Sequence, residues 1–274
     1  MSVAEWSEGR VRQCEDSGGG EEPLEIRLGA NPLTVKMRTP GDDLELAAGL
    51  LFTEGIVRRR EDVVSIRHSD GGGHAENVVL VDLAGHVVFD QDHARRNFLA
   101  TSSCGLCGKT TIDSIRARGV SRPNPDFRVR PELLCRLPAK LRSSQSLFER
   151  TGGLHAAAAF NAQGELLAVR EDVGRHNAVD KIVGWALLES RLPLSEHILL
   201  VSGRGGFEII QKAIVAGFPV VAAISAASTL AVQLARELGL TLLGFLRGER
   251  FLLYAGEERL LLAQELATVN RRTE

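Results

Sequence analysis

The sequence has only four cysteines in 274 residues, at positions 14, 104, 107 and 135, too few for a secreted disulfide scaffold. It also lacks a basic excess: its formal net charge is −2, which argues against bulk binding to nucleic acid or to an anionic membrane. The N-terminal segment contains no apolar stretch typical of a signal peptide, and no apolar run reaches the roughly 18 residues of a membrane span. These absences predict a cytoplasmic protein with reduced thiols and with neither a nucleic-acid nor a membrane partner.

The composition, with 44% hydrophobic and 25% charged residues, is that of an ordinary globular protein with a sizeable core. Residues 1–23 are polar and glycine-rich, and we predict that they are disordered. Residues 24–126 contain four β-like segments and a helical segment at 42–56, which predicts a smaller β-rich α+β domain. The proline-rich stretch 121–131 is the candidate linker.

Residues 127–257 have a different pattern, in which uninterrupted apolar strands alternate with amphipathic helices. This pattern predicts an α/β domain with a mostly parallel sheet and flanking helices. A β-hairpin around the turn NAQG at 161–164 is predicted before the first of these helices. Residues 258–274 are left as a C-terminal tail.

The stretch TSSCGLCGK at 101–109 places Cys104 and Cys107 in a loop that contains two glycines and leads into a predicted helix. Free N–H groups at the start of that helix, together with the cation of Lys109, would stabilise a cysteine thiolate. A thiolate can attack a sulfane sulfur and hold it as a persulfide, and a second cysteine can relay or resolve it. The residues therefore favour a reactive thiol.

Other interpretations of this stretch stay open. A structural zinc site needs four ligands, and neither Cys14 nor Cys135 belongs to a second pair. A phosphate-binding loop would need glycine where Ser103 stands. A thioredoxin-type redox pair would fit the predicted strand-to-helix turn, but it is typical of a βαβ unit and the surrounding pattern is β-rich. Two small buried cysteines would have no chemical role.

Polar residues follow three of the strands predicted in the second half. The carboxyl ends of parallel strands meet at one edge of the sheet, where the N-termini of helices favour bound anions. Arginine side chains at such an edge can donate two hydrogen bonds to the oxygens of one phosphate. The sequence therefore predicts a nucleotide or pyrophosphate site there. Its candidate residues are Ser202, Gly203, Arg204, Gly205 and Gly206 after the first strand, Ser225, Ser228 and Thr229 after the second, and Phe245, Arg247 and Arg250 at the third.

The segment EDVGRHNAVDK at 171–181 concentrates charged and polar side chains around a strand-to-helix turn at the same predicted domain. Helix capping and local ion pairs would account for about half of them. His155 stands alone among small residues, and we interpret it as a core or rim histidine rather than as a catalyst.

Six segments together resemble the FdhD/NarQ family of formate dehydrogenase accessory sulfurtransferases. In chain order they are TSSCGLCGK, TGGLHAAA, EDVGRHNAVDK, SGRGGFEIIQKA, AGFPVVAAISAASTLAV and TLLGFLRG, and PGDDLELAAGLLFTEGI near the start also matches. The resemblance covers residues 24–257, and EDVGRHNAVDK is long enough to be highly specific.

The resemblance implies a sulfurtransferase with a cysteine persulfide intermediate. A cysteine desulfurase would load Cys104, with Cys107 as its relay partner. The sulfur would then pass to the molybdenum cofactor, in its bis(molybdopterin guanine dinucleotide) form, before this cofactor enters formate dehydrogenase. The resemblance further implies cofactor contacts from His176 and from the whole segment 245–250, which adds Leu246, Gly248 and Glu249 to the candidates. No structural metal is implied.

The resemblance also implies a cytidine deaminase-like second domain that carries the cofactor, with the CxxC loop on the first domain. Deamination itself is not expected, because Ala178 stands where those enzymes have their glutamate and the turn at 202–206 contains no cysteine. Gly206 replaces a hydroxyl residue expected in many relatives, which removes one phosphate contact.

Two further functions stay open as hypotheses: a non-enzymatic cofactor chaperone with a redox-sensing CxxC, and a dithiol oxidoreductase. A homodimer is a further hypothesis, because it would bring together two pockets for a cofactor with two guanosines.

Overall fold

The computed structural model describes residues 1–71, 75–88 and 120–262, so Cys104 and Cys107 lie outside the described residues. In these parts the helices are α1 Asp43–Thr53, α2 Pro131–Arg142, α3 Ser146–Thr151, α4 Arg175–Leu188, α5 Phe207–Val215 and α6 Thr229–Leu238. The strands are β1 Ser2–Ser7, β2 Arg10–Glu15, β3 Glu22–Leu28, β4 Asn31–Arg38, β5 Val63–His68, β6 Val78–Leu83, β7 His155–Asn161, β8 Leu166–Asp172, β9 His197–Val201, β10 Val220–Ala223, β11 Thr241–Arg247 and β12 Arg250–Ala255.

The first half forms a four-stranded sheet in the order β4-β3-β6-β5, in which β3 and β6 run parallel and the outer pairs antiparallel. Alternation places Leu24 and Ile26 of β3 on the inner face beside Val79 and Val81 of β6, where α1 covers them. The four strands and the helix predicted from the sequence pattern are confirmed here. The prediction of a fold that combines helices with more than one β-sheet is also confirmed in the parts of the chain that the structure describes.

The second half forms a six-stranded sheet in the order β12-β11-β10-β9-β7-β8. Among the described strands, β9, β10 and β11 are mutually parallel, whereas β8, β7 and β12 are added by antiparallel pairing. The predicted hairpin around the turn at 161–164 is confirmed by the β7–β8 pair, whereas the prediction of a mostly parallel sheet is wrong at both flanks. The reason is local: the β7–β8 and β11–β12 connections are short turns, and such turns join only antiparallel neighbours.

The second sheet is covered on both faces. Helices α4, α5 and α6 pack on one face, where the apolar side chains of the helices and the strands form one core. Helix α2 packs on the other face through Leu134, Leu137 and Leu141. Helix α4 also contacts α1 on its far side, which explains why almost all of its residues are buried.

Two glycines let α1 and α4 cross closely. A Cβ on Gly49 would lie 1.8 Å from the carbonyl oxygen of Asp180, and a Cβ on Gly184 would lie 1.8 Å from that of Glu45. No side chain fits at either position, so the backbones themselves are in contact. This crossing fixes the position of α1 and its sheet against the second half.

The N-terminal segment departs from the sequence prediction of disorder at residues 1–23. Strands β1 and β2 pair antiparallel, with Trp6 opposite Val11. Glu8 and Gly9 form the turn with φ of 52° and 78°, the backbone twist that two-residue hairpins favour. The hairpin escaped prediction because nearly all of its side chains are exposed, including those of Trp6 and Val11, so that no buried face produced a clear apolar alternation.

The proline-rich stretch predicted as a linker packs against the second sheet. Phe127 and Val129 are buried in the core beneath α2. Val129 pairs with Leu260, and Arg259 donates hydrogen bonds to the carbonyl oxygens of Pro123 and Asn124. The first residues of the predicted tail therefore hold this stretch in place. Within the described parts of the chain, no helix has both the length and the apolarity needed to cross a membrane.

Candidate functional site

Three turns at the carboxyl edge of the second sheet are joined by backbone hydrogen bonds. Gly205 donates its N–H to the carbonyl of Ala226, and its own carbonyl accepts from Ser228. Phe245 donates to the carbonyl of Ser225 across 3.0 Å. The turns that follow β9, β10 and β11 thus form one continuous surface, as parallel strands require.

Ser202 and Gly203 follow β9 at this edge and have different structural roles. The Ser202 hydroxyl accepts a hydrogen bond from the N–H of Ala156 at 2.8 Å, so it is used to hold the end of β7. A Cβ on Gly203 would lie 3.3 Å from Nδ1 of His155 and 3.7 Å from Cβ of Arg175. Glycine at this position lets both side chains approach the turn. Arg204 beside it is exposed.

Phe245 has an unusual backbone conformation at the end of β11. Its φ is 51°, in the left-handed region that aromatic residues rarely occupy, and 37% of its surface is exposed. A register shift between Gly244 and Arg247 accompanies it. Strain of this kind is concentrated at functional sites. Leu246, also a sequence candidate, is fully buried in the core, so its side chain is not available to a ligand.

The remaining candidates of this segment form the β11–β12 turn. Arg247 and Arg250 face each other across the turn that Gly248 and Glu249 make, and all four are exposed. Neither arginine side chain is paired with an acidic residue among the described ones. Both guanidinium groups are therefore open to an anionic ligand.

The segment EDVGRHNAVDK contributes chiefly structural residues. Asp172, fully buried, accepts hydrogen bonds from the backbone of Gly174 and Thr39 and from the side chain of Asn177, and pairs with Lys181 at 2.8 Å. These contacts fasten the β8–α4 turn to the loop that follows β4.

Two further acidic residues of this segment are structural as well. Asp180 pairs with the buried Lys212 at 2.8 Å and accepts from the hydroxyl of Thr53 in α1. Glu171 accepts from the N–H groups of Leu147 and Phe148 and so caps α3. The expectation that capping and ion pairs explain about half of this segment is consistent with these contacts.

Arg175 and His176 differ from the rest of the segment because they begin α4 at the sheet edge. His176 Nε2 lies 3.1 Å from Oε2 of Glu208 in α5, without the alignment of an ordinary hydrogen bond. This contact lowers the pKa of Glu208 to about 2, despite an opposing effect of partial burial. The Nε atom of Arg175 is buried and has no hydrogen-bond partner among the residues that the structure describes.

His155 lies at this edge too, although it was not among the sequence-predicted site residues. Because β7 runs antiparallel to β9, its first residue lies beside the turn after β9. Partial burial, and then the charges of Arg175, His176 and Arg204, lower its pKa, which favours the neutral ring. The start of an antiparallel neighbour strand could have indicated this position, but pairing order is not visible in the sequence.

The described site contains neither a thiol nor a metal cluster. No group of three or more His, Cys, Asp or Glu side chains in the described ranges could hold a metal ion. Cys135 on α2 has a pKa raised by burial and then by Glu249 and Glu132, which makes it a poor thiolate. The predicted residues Cys104 and Cys107 lie outside the described residues.

Known proteins match this chain over nearly its whole length. Residues 20–261 match the model of the FdhD/NarQ family. A protein named Sulfur carrier protein FdhD from Streptomyces avermitilis is 53% identical over 261 residues, which cover 93% of each chain. The protein of the same name from Saccharolobus solfataricus is 44% identical over 243 residues, or 88% of this chain and 89% of that one.

A solved structure shares the fold. The crystal structure of a formate dehydrogenase accessory protein from Desulfotalea psychrophila superposes with a TM-score of 0.76 and covers 95% of this chain and 98% of that chain. At 23% sequence identity, this likeness concerns the fold alone. The family match and the identities establish membership: the chain belongs to the FdhD/NarQ family.

Proposed function

We propose that this chain carries sulfur for the maturation of formate dehydrogenase. It takes persulfide sulfur from a cysteine desulfurase in the cytoplasm and passes it to a molybdenum cofactor with guanine dinucleotide groups, before that cofactor enters formate dehydrogenase. The names of the relatives support the sulfur-carrying role, and the name of the structural neighbour supports the client.

Cys104 is the proposed carrier of the sulfur. Its thiolate attacks the outer sulfur of the desulfurase persulfide, the donor sulfur leaves as a thiolate, and Cys104 becomes the persulfide without net oxidation or reduction. Cys107 can then attack the inner sulfur, which releases sulfide and leaves a disulfide between the two cysteines. The dithiol would thereby supply the two electrons that reduce the transferred sulfur.

The cofactor is the substrate, and we propose that the carboxyl edge of the second sheet holds its guanosine diphosphate part. The observation that carries this proposal is the continuous surface at the three turns, with a partly exposed aromatic ring at Phe245. Arg204, Arg247 and Arg250 are exposed there and form no ion pair with any acidic residue that the structure describes. Strands β9 and β11 are about 10 Å apart across β10, a span comparable to a nucleoside diphosphate. A homodimer would offer two such edges to a cofactor with two guanosines.

The second domain, which we expect to resemble the cytidine deaminase fold, would then serve as a nucleotide binder. Ala178 lies fully buried in α4 and cannot act as the general acid of a deaminase.

Titration with GDP tests the nucleotide part of this function. We expect Arg247→Ala to weaken GDP binding by about tenfold, the usual effect of losing one charged hydrogen bond. Arg67→Ala on the four-stranded sheet is the matched control and should bind GDP as the parent does. Equal affinity of the Arg247→Ala variant and the parent would move the site elsewhere.

A cofactor chaperone with a redox-sensing CxxC is the second candidate function. Such a chaperone would keep its activity when both cysteines are replaced. The double variant Cys104→Ser, Cys107→Ser should therefore abolish formate dehydrogenase maturation if sulfur is carried, and should retain maturation under reducing conditions if it is not.

A further inference from the structure

Helix α2 presents a basic surface on the face of the second sheet opposite α4, α5 and α6. Residues 128–143 contain five basic side chains and one acidic side chain, a net charge of +4, in a chain whose formal net charge is −2. The apolar side of α2 packs on the sheet, so its other side is open to solvent. We call the five exposed basic residues the basic face: Arg128, Arg130, Arg136, Lys140 and Arg142.

The basic face has no compensating negative charge from its own chain. In the part of the chain that the structure describes, none of its five side chains forms an ion pair with a carboxylate. Arginines of the first half, by contrast, pair with nearby carboxylates, as Arg27 does with Glu25 and Arg67 with Asp70. The positive potential of the basic face is therefore left to attract a negatively charged partner.

Neutral groups hold several of these cations in place. The guanidinium group of Arg128 donates to two backbone carbonyl oxygens, at 2.7 and 3.0 Å. Lys140 donates to the carbonyl oxygen of Gly164, and Arg142 lies over the ring of Phe148 at 4.5 Å from its centre. Carbonyl oxygens and an aromatic ring order a side chain without cancelling its charge, which reduces the entropy lost when a partner binds.

The stability of α2 explains only part of this charge. Lys140 and Arg142 lie in the last turn of the helix, where cations interact favourably with the helix dipole. Arg128 and Arg130 lie at the opposite end, where the same dipole disfavours a cation. Arg130 is the N-cap residue of α2, and its side chain makes no capping hydrogen bond. These two arginines therefore add to the basic face at a cost to the helix.

We propose that the basic face is a docking surface for an acidic surface of the cysteine desulfurase that donates the sulfur. The identity of this partner rests on the proposed function and on chain order, because the segment that contains Cys104 rejoins the described chain at Val120, eight residues before Arg128. Eight residues span less than about 30 Å, so a protein docked on the basic face lies near the point where that segment returns.

The charge of the whole chain favours a protein partner over the other common ligands of basic surfaces. Nucleic acid and anionic membranes are polyanions that attract proteins with a basic excess, whereas this chain has a net charge of −2. An acidic patch on a protein matches a small basic face without bringing the remaining, negatively charged surface close to a polyanion.

The binding kinetics should carry the signature of an exposed charged interface. Exposed charges chiefly accelerate association, and salt screens them beyond about 8 Å at physiological ionic strength. Association of the parent with the desulfurase should therefore slow as the salt concentration is raised.

Surface plasmon resonance of the full chain over an immobilised cysteine desulfurase tests the docking surface. The double variant Arg136→Glu, Lys140→Glu should associate about tenfold more slowly at low salt, with a smaller difference at about 0.5 M salt. The matched control is Arg58→Glu, Arg236→Glu, which makes the same change of charge at exposed arginines. Arg236 lies on α6 and, like Arg128, donates to a backbone carbonyl oxygen. This control should associate as the parent does.

Sulfur uptake from a small donor separates docking from chemistry. A low-molecular-weight persulfide such as glutathione persulfide needs no docking surface, so the parent and both double variants should take up sulfur from it equally. Equal uptake would also show that the variants are folded.

Each outcome decides the proposal. A parent that does not bind the desulfurase, or a basic-face variant that binds it as the control does, would overturn the docking surface, while sulfur carriage by Cys104 could still stand. A parent that binds through the basic face but receives no sulfur would support the docking surface and contradict the proposed function. If the basic-face variant instead lost binding to phosphatidylglycerol vesicles or to RNA and kept its association with the desulfurase, the surface would belong to another partner and the proposal would be wrong.

Discussion

Lys181 Nζ, in the middle of α4, lies 2.8 Å from Oδ2 of Asp172 at the end of β8, and both side chains are fully buried. The same lysine donates to the carbonyl of Thr39, and the same carboxylate accepts from the N–H of Thr39. One buried pair thus ties the loop after β4 to the turn that presents Arg175 and His176. The position of these two side chains depends on contacts that come from the first sheet.

Asp172→Asn should destabilise the protein strongly. The change leaves the charge of Lys181 buried without a counter-charge, which typically costs about 3–5 kcal/mol. Urea unfolding followed by circular dichroism measures this loss. Asp70→Asn, in an exposed ion pair with Arg67, is the control and should leave the free energy of unfolding nearly unchanged. A small effect of Asp172→Asn would mean that water reaches the pair.

Gly184→Ala should separate α1 from α4. The new Cβ would lie 1.8 Å from the carbonyl oxygen of Glu45, and backbone atoms cannot move aside as a side-chain tip can. Overpacking of this kind costs about 1–3 kcal/mol or more. Thermal unfolding should show the loss. Gly85→Ala, with open space around its Cβ, is the control, and equal melting temperatures of the two variants would contradict the close crossing.

Phe245→Gly should affect stability and binding in opposite directions. Glycine adopts a φ of 51° without the cost of about 1–2 kcal/mol that other residues pay there, so stability should be kept or improved. GDP affinity should fall, because the exposed aromatic face is lost. Phe245→Leu separates the two effects, since it retains the strain and the apolar bulk but not the ring. Loss of stability together with unchanged GDP affinity would contradict a role for Phe245 in binding.

The Glu208–His176 contact should be visible in a titration. Because the pKa of Glu208 is lowered from 4.5 to about 2, the pair stabilises the fold above pH 4.5 and this contribution is lost as the pH falls towards 2. Glu208 is about half exposed, so solvent weakens the effect on stability. Carboxyl-carbon NMR of the His176→Asn variant should find the pKa of Glu208 raised from about 2 towards its ordinary value of 4.5, with the backbone hydrogen bond and Arg175 still lowering it. An unchanged midpoint would remove His176 as the cause.

Most strands and helices of the second half could be predicted from the sequence because apolar residues recur along them with the period of a strand or a helix. Several of them end beside a glycine, as α5 does at Gly217 and α6 at Gly239. The four-stranded sheet was predictable for the same reason, with Leu24 and Ile26 alternating against polar neighbours. The N-terminal hairpin was not, because neither of its faces is buried. Of the antiparallel flanks of the second sheet, the β7–β8 hairpin was predicted from the turn NAQG. The antiparallel pairing of β7 with β9 and of β12 with β11 was missed, because strand order is set by pairing rather than by composition.

The turns that form the candidate site could be predicted from the sequence, but not every residue that lies at the site. Ser202, Gly203 and Arg204 follow a clear strand, and the chain order of parallel strands brings such turns together. His155 is the first residue of β7, which lies more than 40 residues before Gly203 in the sequence. Only the antiparallel pairing of β7 with β9 places His155 beside Gly203. Conversely, Leu246 belongs to a segment with polar neighbours, yet the alternation of β11 directs its side chain into the core.

Sulfur transfer to Cys104 is the central claim. The most direct measurement incubates the full chain with a cysteine desulfurase and labelled cysteine, and then follows the label by mass spectrometry and onto the molybdenum cofactor. The account predicts an adduct of one sulfur, about 32 Da, on the peptide that contains Cys104. The adduct and the labelled cofactor should disappear in Cys104→Ala and persist in Cys135→Ala. An adduct that survives in Cys104→Ala, or a parent protein whose label never reaches molybdenum, would contradict it.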